Sequence, residues 1–134
     1  GCGTLNERGL QIKSHWEGTE LVCRWRPAPH HISLPGVVYG GTIASVVDCH
    51  SIWAALATYC RKTGKDIAAG PPPFVTAKLS ISFLKPASID KVLELRARVV
   101  DASDRRAVVT CRVLQDGTEC AMAEVLAVRI DNKE

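Results

Sequence analysis

The feature that most constrains the fold is a helical pattern from Gly41 to Arg61 whose apolar residues cover most of the helix circumference. A helix that is apolar on nearly every side has to be enclosed by other elements, because a surface helix keeps one polar face. At about 1.5 Å per residue, roughly 20 residues span about 30 Å. Lys62 suits the negative end of the helix dipole and Gly64 suits a C-terminal cap. The pattern therefore predicts a fold built around one long buried helix.

The rest of the chain alternates apolar and polar residues, as strands do. Two strands are predicted before the helix, at residues 9–18 and 19–26, and four after it, at residues 74–84, 91–100, 106–114 and 118–130. Asp116-Gly117 is a strong hairpin signal between the last two. This order predicts an α+β domain in which a curved antiparallel sheet of about five to six strands wraps the helix.

Strict alternation in the strand at residues 74–84 also predicts which way its side chains point. Leu79, Ile81 and Phe83 belong to the predicted apolar face, together with Val75 and Ala77. Thr76 then points away from the apolar face, toward solvent or an interface.

Size and composition limit the classes of function. A chain of 134 residues fits one compact unit, so we expect residues 1–134 to form a single domain. With 46% hydrophobic and 23% charged residues, the composition is that of a globular protein, and we expect no apolar run that reaches the length needed to cross a bilayer. The N-terminus lacks a signal-like pattern, so a cytoplasmic location is expected. A net charge of +3, with dispersed Lys and Arg, argues against a nucleic-acid partner.

The cysteines do not form a recognisable metal or disulfide pattern. None lies in a C-x-x-C pair or at ligand spacing from a histidine, so we expect neither structural zinc nor disulfides. Four of them lie in apolar periodic segments and are predicted to act as small hydrophobic residues. The six are Cys2, Cys23, Cys49, Cys60, Cys111 and Cys120.

Asp48 is the one carboxylate within the apolar helical segment, which Gly40-Gly41 begins. A charge in apolar surroundings needs a partner, a proton or a function. The N–H groups of a helix start favour a carbonyl oxygen or an anion, and glycine lets that group approach closely. Asp48 lies about 12 Å beyond Gly40 along the axis, whereas a base must come within about 3 Å of its target. If both act on one substrate, the site is shared between two subunits.

Structural explanations of the same residues stay open at this point. Gly40-Gly41 can be no more than a tight entry to the helix. Asp48 can be satisfied by a neighbouring hydroxyl such as that of Ser45 or Ser51. His50 points to a different side of the helix from Asp48, so packing or an interface explains it better than a ligand does.

Two segments resemble the hotdog-fold acyl-CoA thioesterases. One is Leu-Pro-Gly-Val-Val-Tyr-Gly-Gly-Thr-Ile-Ala-Ser-Val-Val-Asp at residues 34–48, and the other is Phe-Val-Thr-Ala-Lys-Leu-Ser-Ile-Ser-Phe-Leu-Lys-Pro-Ala at residues 74–87. The likeness is closest to the branch with the phenylacetate-pathway thioesterase and the human thioesterase superfamily members. It implies the hotdog fold, hydrolysis of an acyl-CoA to a free acid and CoA, and no cofactor, since CoA is part of the substrate. It also implies homodimers joined edge to edge, often paired into homotetramers.

The resemblance implies roles for individual residues. Gly40 matches the glycine whose N–H polarises the thioester carbonyl, and Asp48 matches the acid that acts as general base or nucleophile. Thr76 matches a Ser or Thr that helps to hold the attacking water. Predicted substrate contacts are Ser33, Tyr39, Gly41 and His50.

One departure from the family pattern favours a second hypothesis. The family has a histidine before the two glycines, and this chain has Tyr39, whose hydroxyl can still form hydrogen bonds. A non-catalytic acyl-CoA-binding protein of the same fold is therefore the alternative. The related enoyl hydratases place a histidine five residues after the acid, where this chain has Trp53, so this third possibility ranks lowest. Basic residues that could meet the CoA phosphates are Lys78, Lys85, Arg105 and Arg106.

Overall fold

In the computed structural model, which describes residues 7–130, one α-helix packs against a six-stranded antiparallel sheet. The elements are β1 (Ser14–Glu17), β2 (Glu20–Trp25), α1 (Gly40–Thr63), β3 (Phe74–Phe83), β4 (Leu93–Ala102), β5 (Arg106–Gln115) and β6 (Thr118–Arg129). The strand order in the sheet is β1-β2-β4-β5-β6-β3, so β1 and β3 are the two edges. The predicted α+β architecture is confirmed.

The core lies between α1 and the inner face of the sheet, where α1 contacts β3, β4, β5 and β6. Val46 and Val47 of the helix and Leu95, Val109 and Val125 of the sheet are fully buried. Each such side chain contributes about 1.5–3 kcal/mol through burial. Four cysteines are buried as predicted, while Cys2 lies outside the described residues. The buried four are Cys23, Cys60, Cys111 and Cys120.

The helix begins and ends within two residues of the prediction, and Gly64 adopts the left-handed conformation of a C-terminal cap at φ 70°. The expected enclosure of α1 is found on the side that packs against the sheet, where Val46, Val47 and Ala54 are buried. An apolar stripe is left half-buried or exposed; it consists of Cys49, Ile52, Trp53 and Leu56.

By length and composition alone, α1 could cross a bilayer, with a mean hydropathy of 1.2 over an 18-residue window. The expectation that no segment reaches this threshold was therefore wrong. Half of that window is buried inside the structure, as in the core helix of a globular domain, so the criterion is weak evidence for a membrane helix.

Backbone conformation accounts for the first strand and for the last hairpin. β1 is shorter than predicted because Gln11 has a φ of 57°, which no strand accommodates. The Asp116-Gly117 hairpin is confirmed, and both of its residues have positive φ, 50° and 79°, as a type I′ turn requires.

A bulge in β3 determines the direction of the Thr76 side chain. The register against β6 shifts between Thr76 and Lys78, so Ala77 has no partner in β6. Thr76 pairs with Ala127 and Leu79 pairs with Val125, and both partners belong to the buried helix-facing side. Because the bulge adds one residue, Thr76 lies on the same side of the sheet as Leu79. The prediction that Thr76 points away from the helix was wrong.

Candidate active site

The carboxylate of Asp48 is paired with a hydroxyl from β3. Asp48 is half-buried on α1, and the Thr76 hydroxyl donates a hydrogen bond to its Oδ1 atom. The alternative partners do not serve it, since the Ser45 hydroxyl donates to the Gly41 carbonyl at 2.9 Å and Ser51 is fully buried in the core. The bulge therefore brings together two of the residues predicted to be catalytic.

The glycine turn presents backbone donors at the start of α1. The amides of Thr42 and Ile43 both donate to the Tyr39 carbonyl, at 3.0 and 3.2 Å. Within residues 7–130, the structure assigns no acceptor to the amides of Gly40 and Gly41. These are the N–H groups that a helix start leaves for an external oxygen.

The side chain of Tyr39 packs over Gly41. A Cβ atom at Gly41 would lie 2.5 Å from Cε2 of the Tyr39 ring, so the ring occupies the space that the glycine leaves. Tyr39 itself is exposed and provides no side-chain cap to the helix. The predicted contacts Tyr39 and Gly41 thus form one surface at the helix start.

An open cleft of about 370 Å³ adjoins this turn. Ser33, Gly40 and Lys85 line it, and the Phe83 ring forms part of its wall. A Cβ atom at Gly40 would lie 3.5 Å from Cζ of Phe83, an ordinary contact, so nothing within the chain forces a glycine there. The structure therefore brings Ser33 to the glycine turn.

His50 is placed elsewhere, beneath the β1–β2 hairpin. The Nε2 atom lies 2.8 Å from the Leu21 carbonyl, which can only accept, so Nε2 carries the proton. Nδ1 then accepts from the Ser14 hydroxyl, also at 2.8 Å. Burial lowers the pKa of His50 to about 4 and keeps the ring neutral. The structure gives His50 a role in the core and does not bring it to the other predicted site residues.

The glycine turn and the carboxylate lie at opposite ends of β3. Gly40 is beside Phe83, the last residue of the strand, whereas Asp48 is bonded to Thr76 near its start. Along the helix the two are separated by about 12 Å. Within one chain, the amide and the carboxylate cannot reach the same carbonyl group.

Two features of this region escaped the sequence analysis. One is the bulge at Ala77. The other is a cavity near the C-terminal end of α1, which Arg129 of β6 helps to line. Ala77 is an ordinary strand residue, and Arg129 is far from the helix in sequence, so neither gives a local signal. In the described part of the chain, no group of three His, Cys, Asp or Glu side chains is placed to hold a metal ion.

Comparison with known proteins gives one family match. A family profile described as the thioesterase superfamily matches residues 35–121, a span that contains Gly40, Asp48 and Thr76. The chain is similar to the crystal structure of a thioesterase superfamily protein from Shewanella loihica, at 33% identity over 95% of this chain and 97% of that chain, with a TM-score of 0.72. A search of curated proteins finds no match.

Two more distant solved structures share the fold. One is the PaaI protein of the phenylacetic acid degradation operon of E. coli, at 16% identity over 92% of this chain and 83% of that chain, with a TM-score of 0.73. The other is a Streptococcus mutans protein bound to acetyl-CoA, at 18% identity over 98% of this chain and 100% of that chain, with a TM-score of 0.76.

Proposed function

The chain belongs to the thioesterase superfamily, and on that basis we propose that it is an acyl-CoA thioesterase, which hydrolyses a thioester to a free acid and CoA. Membership of the superfamily supports thioester hydrolysis in general. The Streptococcus mutans relative bound to acetyl-CoA supports CoA as the thiol part of the substrate. The observation that carries the proposal is the Asp48–Thr76 pair on the β3 edge. No cofactor is included, since CoA belongs to the substrate.

In the proposed reaction, Asp48 acts as general base or as nucleophile. As a base, its carboxylate takes a proton from water while the water oxygen bonds to the carbonyl carbon; the C–S bond then breaks and the CoA sulfur leaves as a thiolate that takes up a proton. The Thr76 hydrogen bond fixes the orientation of the carboxylate. The Gly40 amide stabilises the negative charge on the carbonyl oxygen.

We propose that the site forms between two copies joined along β3. This edge strand exposes apolar side chains, with Val75 at 41%, Leu79 at 36% and Phe83 at 56% of their surface. An exposed apolar edge is a place where another strand adds. Antiparallel pairing of two β3 strands, centred near Leu79, would put the Phe83 end of one copy against the Thr76 end of the other. The glycine turn of each copy then faces Asp48 of its partner.

Larger assembly is part of the same proposal. The stripe of Cys49, Ile52, Trp53 and Leu56 on α1 is only partly covered by the rest of the chain. A homodimer that covers β3 alone leaves part of this stripe exposed, and a dimer of dimers would cover more of it.

The second candidate function is acyl-CoA binding without hydrolysis. Tyr39 favours it, because the tyrosine stands where the family histidine would precede the glycines and its exposed ring covers Gly41. In that case the protein binds acyl-CoA tightly in calorimetry and releases no CoA over hours.

The test compares native protein with Asp48→Asn over a panel of short, long and aromatic acyl-CoAs. Loss of thioester absorbance is the readout, because it does not depend on the thiols of the protein itself, such as that of the half-buried Cys49. We expect turnover to fall by at least about 100-fold in the variant, with an unchanged melting curve and elution volume. Retained turnover would refute the role of Asp48, and tight binding without turnover in the native protein would select the second candidate.

Gly40 offers a matched pair of variants. Gly40→Pro removes the amide hydrogen, and proline is tolerated at the first residue of a helix after an extended residue such as Tyr39, whose φ and ψ are −61° and 132°. Gly40→Ala keeps the amide. We expect a loss of about 100- to 1,000-fold in kcat for the proline variant alone.

Mixing the two inactive variants tests the shared site. In mixed dimers of Asp48→Asn and Gly40→Pro chains, one of the two sites receives an intact Gly40 from one chain and an intact Asp48 from the other. Random pairing restores about a quarter of the native sites. No recovery, with mixed dimers verified by mass spectrometry, would contradict a site built from two chains.

A further inference from the structure

A cavity of about 490 Å³ lies between the C-terminal half of α1 and the ends of β3, β5 and β6. Ala55 and Tyr59 of the helix and Phe74 of β3 form part of its wall, and the Tyr59 and Phe74 rings meet edge to face at 6.0 Å. None of these residues has a role in the proposed hydrolysis.

The cavity lies on the continuation of the surface that carries Asp48. Ala55 and Tyr59 follow Asp48 by two and three helical turns on the same face, about 10 and 16 Å farther along the axis. Phe74 precedes Thr76 by two residues and so shares its side of β3. A group that starts at the Asp48 carboxylate and runs toward the end of α1 therefore enters this cavity.

The cavity lining combines apolar and hydroxyl side chains with three cations. The cations are Lys62, Arg106 and Arg129, and Asp104 is the one carboxylate among the described lining residues. The charge of Lys62 is already stabilised by the negative end of the helix dipole, so we assign anion binding to Arg106 and Arg129 from the sheet.

Arg129 is the most deeply set of these cations. Its side chain is 14% exposed and lies over the Tyr59 ring, at 5.1 Å from the ring centroid. The contact with Asp104, at 3.7 Å, involves a carboxylate that is 92% exposed. Because the Arg129 side chain is largely removed from water and lines the cavity, its charge interacts more strongly with an anion that enters there than an exposed cation would.

The CoA portion has a separate place on the other side of the reacting carbonyl. In the proposed dimer, the cleft of Ser33, Gly40 and Lys85 faces Asp48 of the other chain from the end opposite to the cavity. The CoA arm can follow that cleft, with Lys85 available to its phosphates. The acyl group is then directed toward the cavity.

We propose that this cavity binds the acyl group and selects thioesters whose acyl group ends in a carboxylate. The apolar wall accommodates the methylene or aromatic part, and Arg106 and Arg129 bind the terminal carboxylate. This inference rests on the proposed function, because it takes Asp48 as the position of the thioester carbonyl.

The test uses pairs of substrates that differ only in the terminal carboxylate: adipoyl-CoA with hexanoyl-CoA, and sebacoyl-CoA with decanoyl-CoA. For at least one pair, we expect native protein to show a higher kcat/KM for the carboxylate-bearing thioester. The ratio of the two values should fall at least about tenfold in Arg129→Gln and in Arg106→Gln, which corresponds to about 1.4 kcal/mol. Lys13→Gln removes an exposed charge elsewhere and should keep the ratio. Arg106 is exposed, so its substitution tests the idea even if Arg129→Gln unfolds.

Two kinetic results would overturn the proposal. One is a ratio at or below one for both pairs in the native protein. The other is an equal rise in KM for both members of a pair in the arginine variants, which would assign these cations to the CoA phosphates. If no thioester is hydrolysed, the proposed function fails separately, and calorimetry with a non-hydrolysable thioether analogue of adipoyl-CoA decides about the cavity. Binding weakened about tenfold in Arg106→Gln relative to Lys13→Gln would support it, and equal binding would refute it.

Discussion

The buried His50 predicts a specific loss of stability in mild acid. Its pKa is about 4 in the folded chain and 6.5 ordinarily, a difference that corresponds to about 3 kcal/mol. As the pH falls through the ordinary value, the unfolded chain binds a proton that the folded chain refuses, so the free energy of unfolding decreases until the folded pKa is reached. Between about pH 7 and pH 5, the expected loss is about 2 kcal/mol from this residue.

Urea unfolding at several pH values measures this slope, with His50→Gln as the variant. Glutamine can still donate a hydrogen bond to the Leu21 carbonyl, and the substitution removes the titrating imidazole. We expect native protein to lose stability over this range and the variant to keep most of it, although its stability at neutral pH is lower. His31, whose pKa burial also lowers, contributes a smaller slope that remains in both.

Equal slopes of the free energy of unfolding against pH in native protein and His50→Gln would refute the reasoning, because a ring that is buried in its neutral form makes the slope of the native protein steeper. A range that stops near pH 5 also avoids the titration of carboxylates such as Glu94, whose pKa is held low by hydrogen bonds from Arg96.

Two further predictions concern the site. Thr76→Val removes the hydroxyl that bonds Asp48 and should lower kcat by about 10- to 100-fold, since a hydrogen bond to a charged group contributes about 1.5–3 kcal/mol; Thr76→Ser should retain activity, and a valine variant with native kcat would contradict this role. Gly41→Ala forces the Tyr39 ring to move, because the added carbon would lie 2.5 Å from it. Gly41→Ala should therefore change KM in the native background and leave it unchanged in a Tyr39→Ala background. An equal change in KM in both backgrounds would show that the ring is not involved.

The elements of this fold could be predicted because each has a strong local signal. The helix between Gly40 and Thr63 has both a long apolar pattern and a glycine cap, and the hairpin at Asp116-Gly117 has the residues that a type I′ turn requires. Such signals act over a few residues, so they can be recognised in the sequence without knowing which other residues lie nearby in the fold. The order of the strands also limits how they can pair, since consecutive antiparallel strands join through short turns.

The orientation of Thr76 could not be predicted, because a bulge is a property of two strands together. In the sequence, residues 75–83 alternate without interruption, and Ala77 is small enough to fit either face. The apolar residues Leu79, Ile81 and Phe83 predict that the odd-numbered residues face the helix, whereas the buried Phe74 is an even-numbered residue. Only the register against β6 shows where the alternation shifts by one residue, and this shift brings the Thr76 hydroxyl to Asp48.

Asp48 and His50 are two polar residues of one apolar helix, and the sequence alone could not assign their roles. Two positions apart, they point about 200° away from each other around the axis. Both ring nitrogens of His50 are bonded within the chain, so its hydrogen-bonding capacity is used up by the fold. At Asp48, Thr76 bonds one carboxylate oxygen, and residues 7–130 provide no assigned partner for the other. The groups without an assigned hydrogen-bond partner among residues 7–130, which include the amides of Gly40 and Gly41, lie along the β3 edge, where a second chain and a substrate can provide such partners.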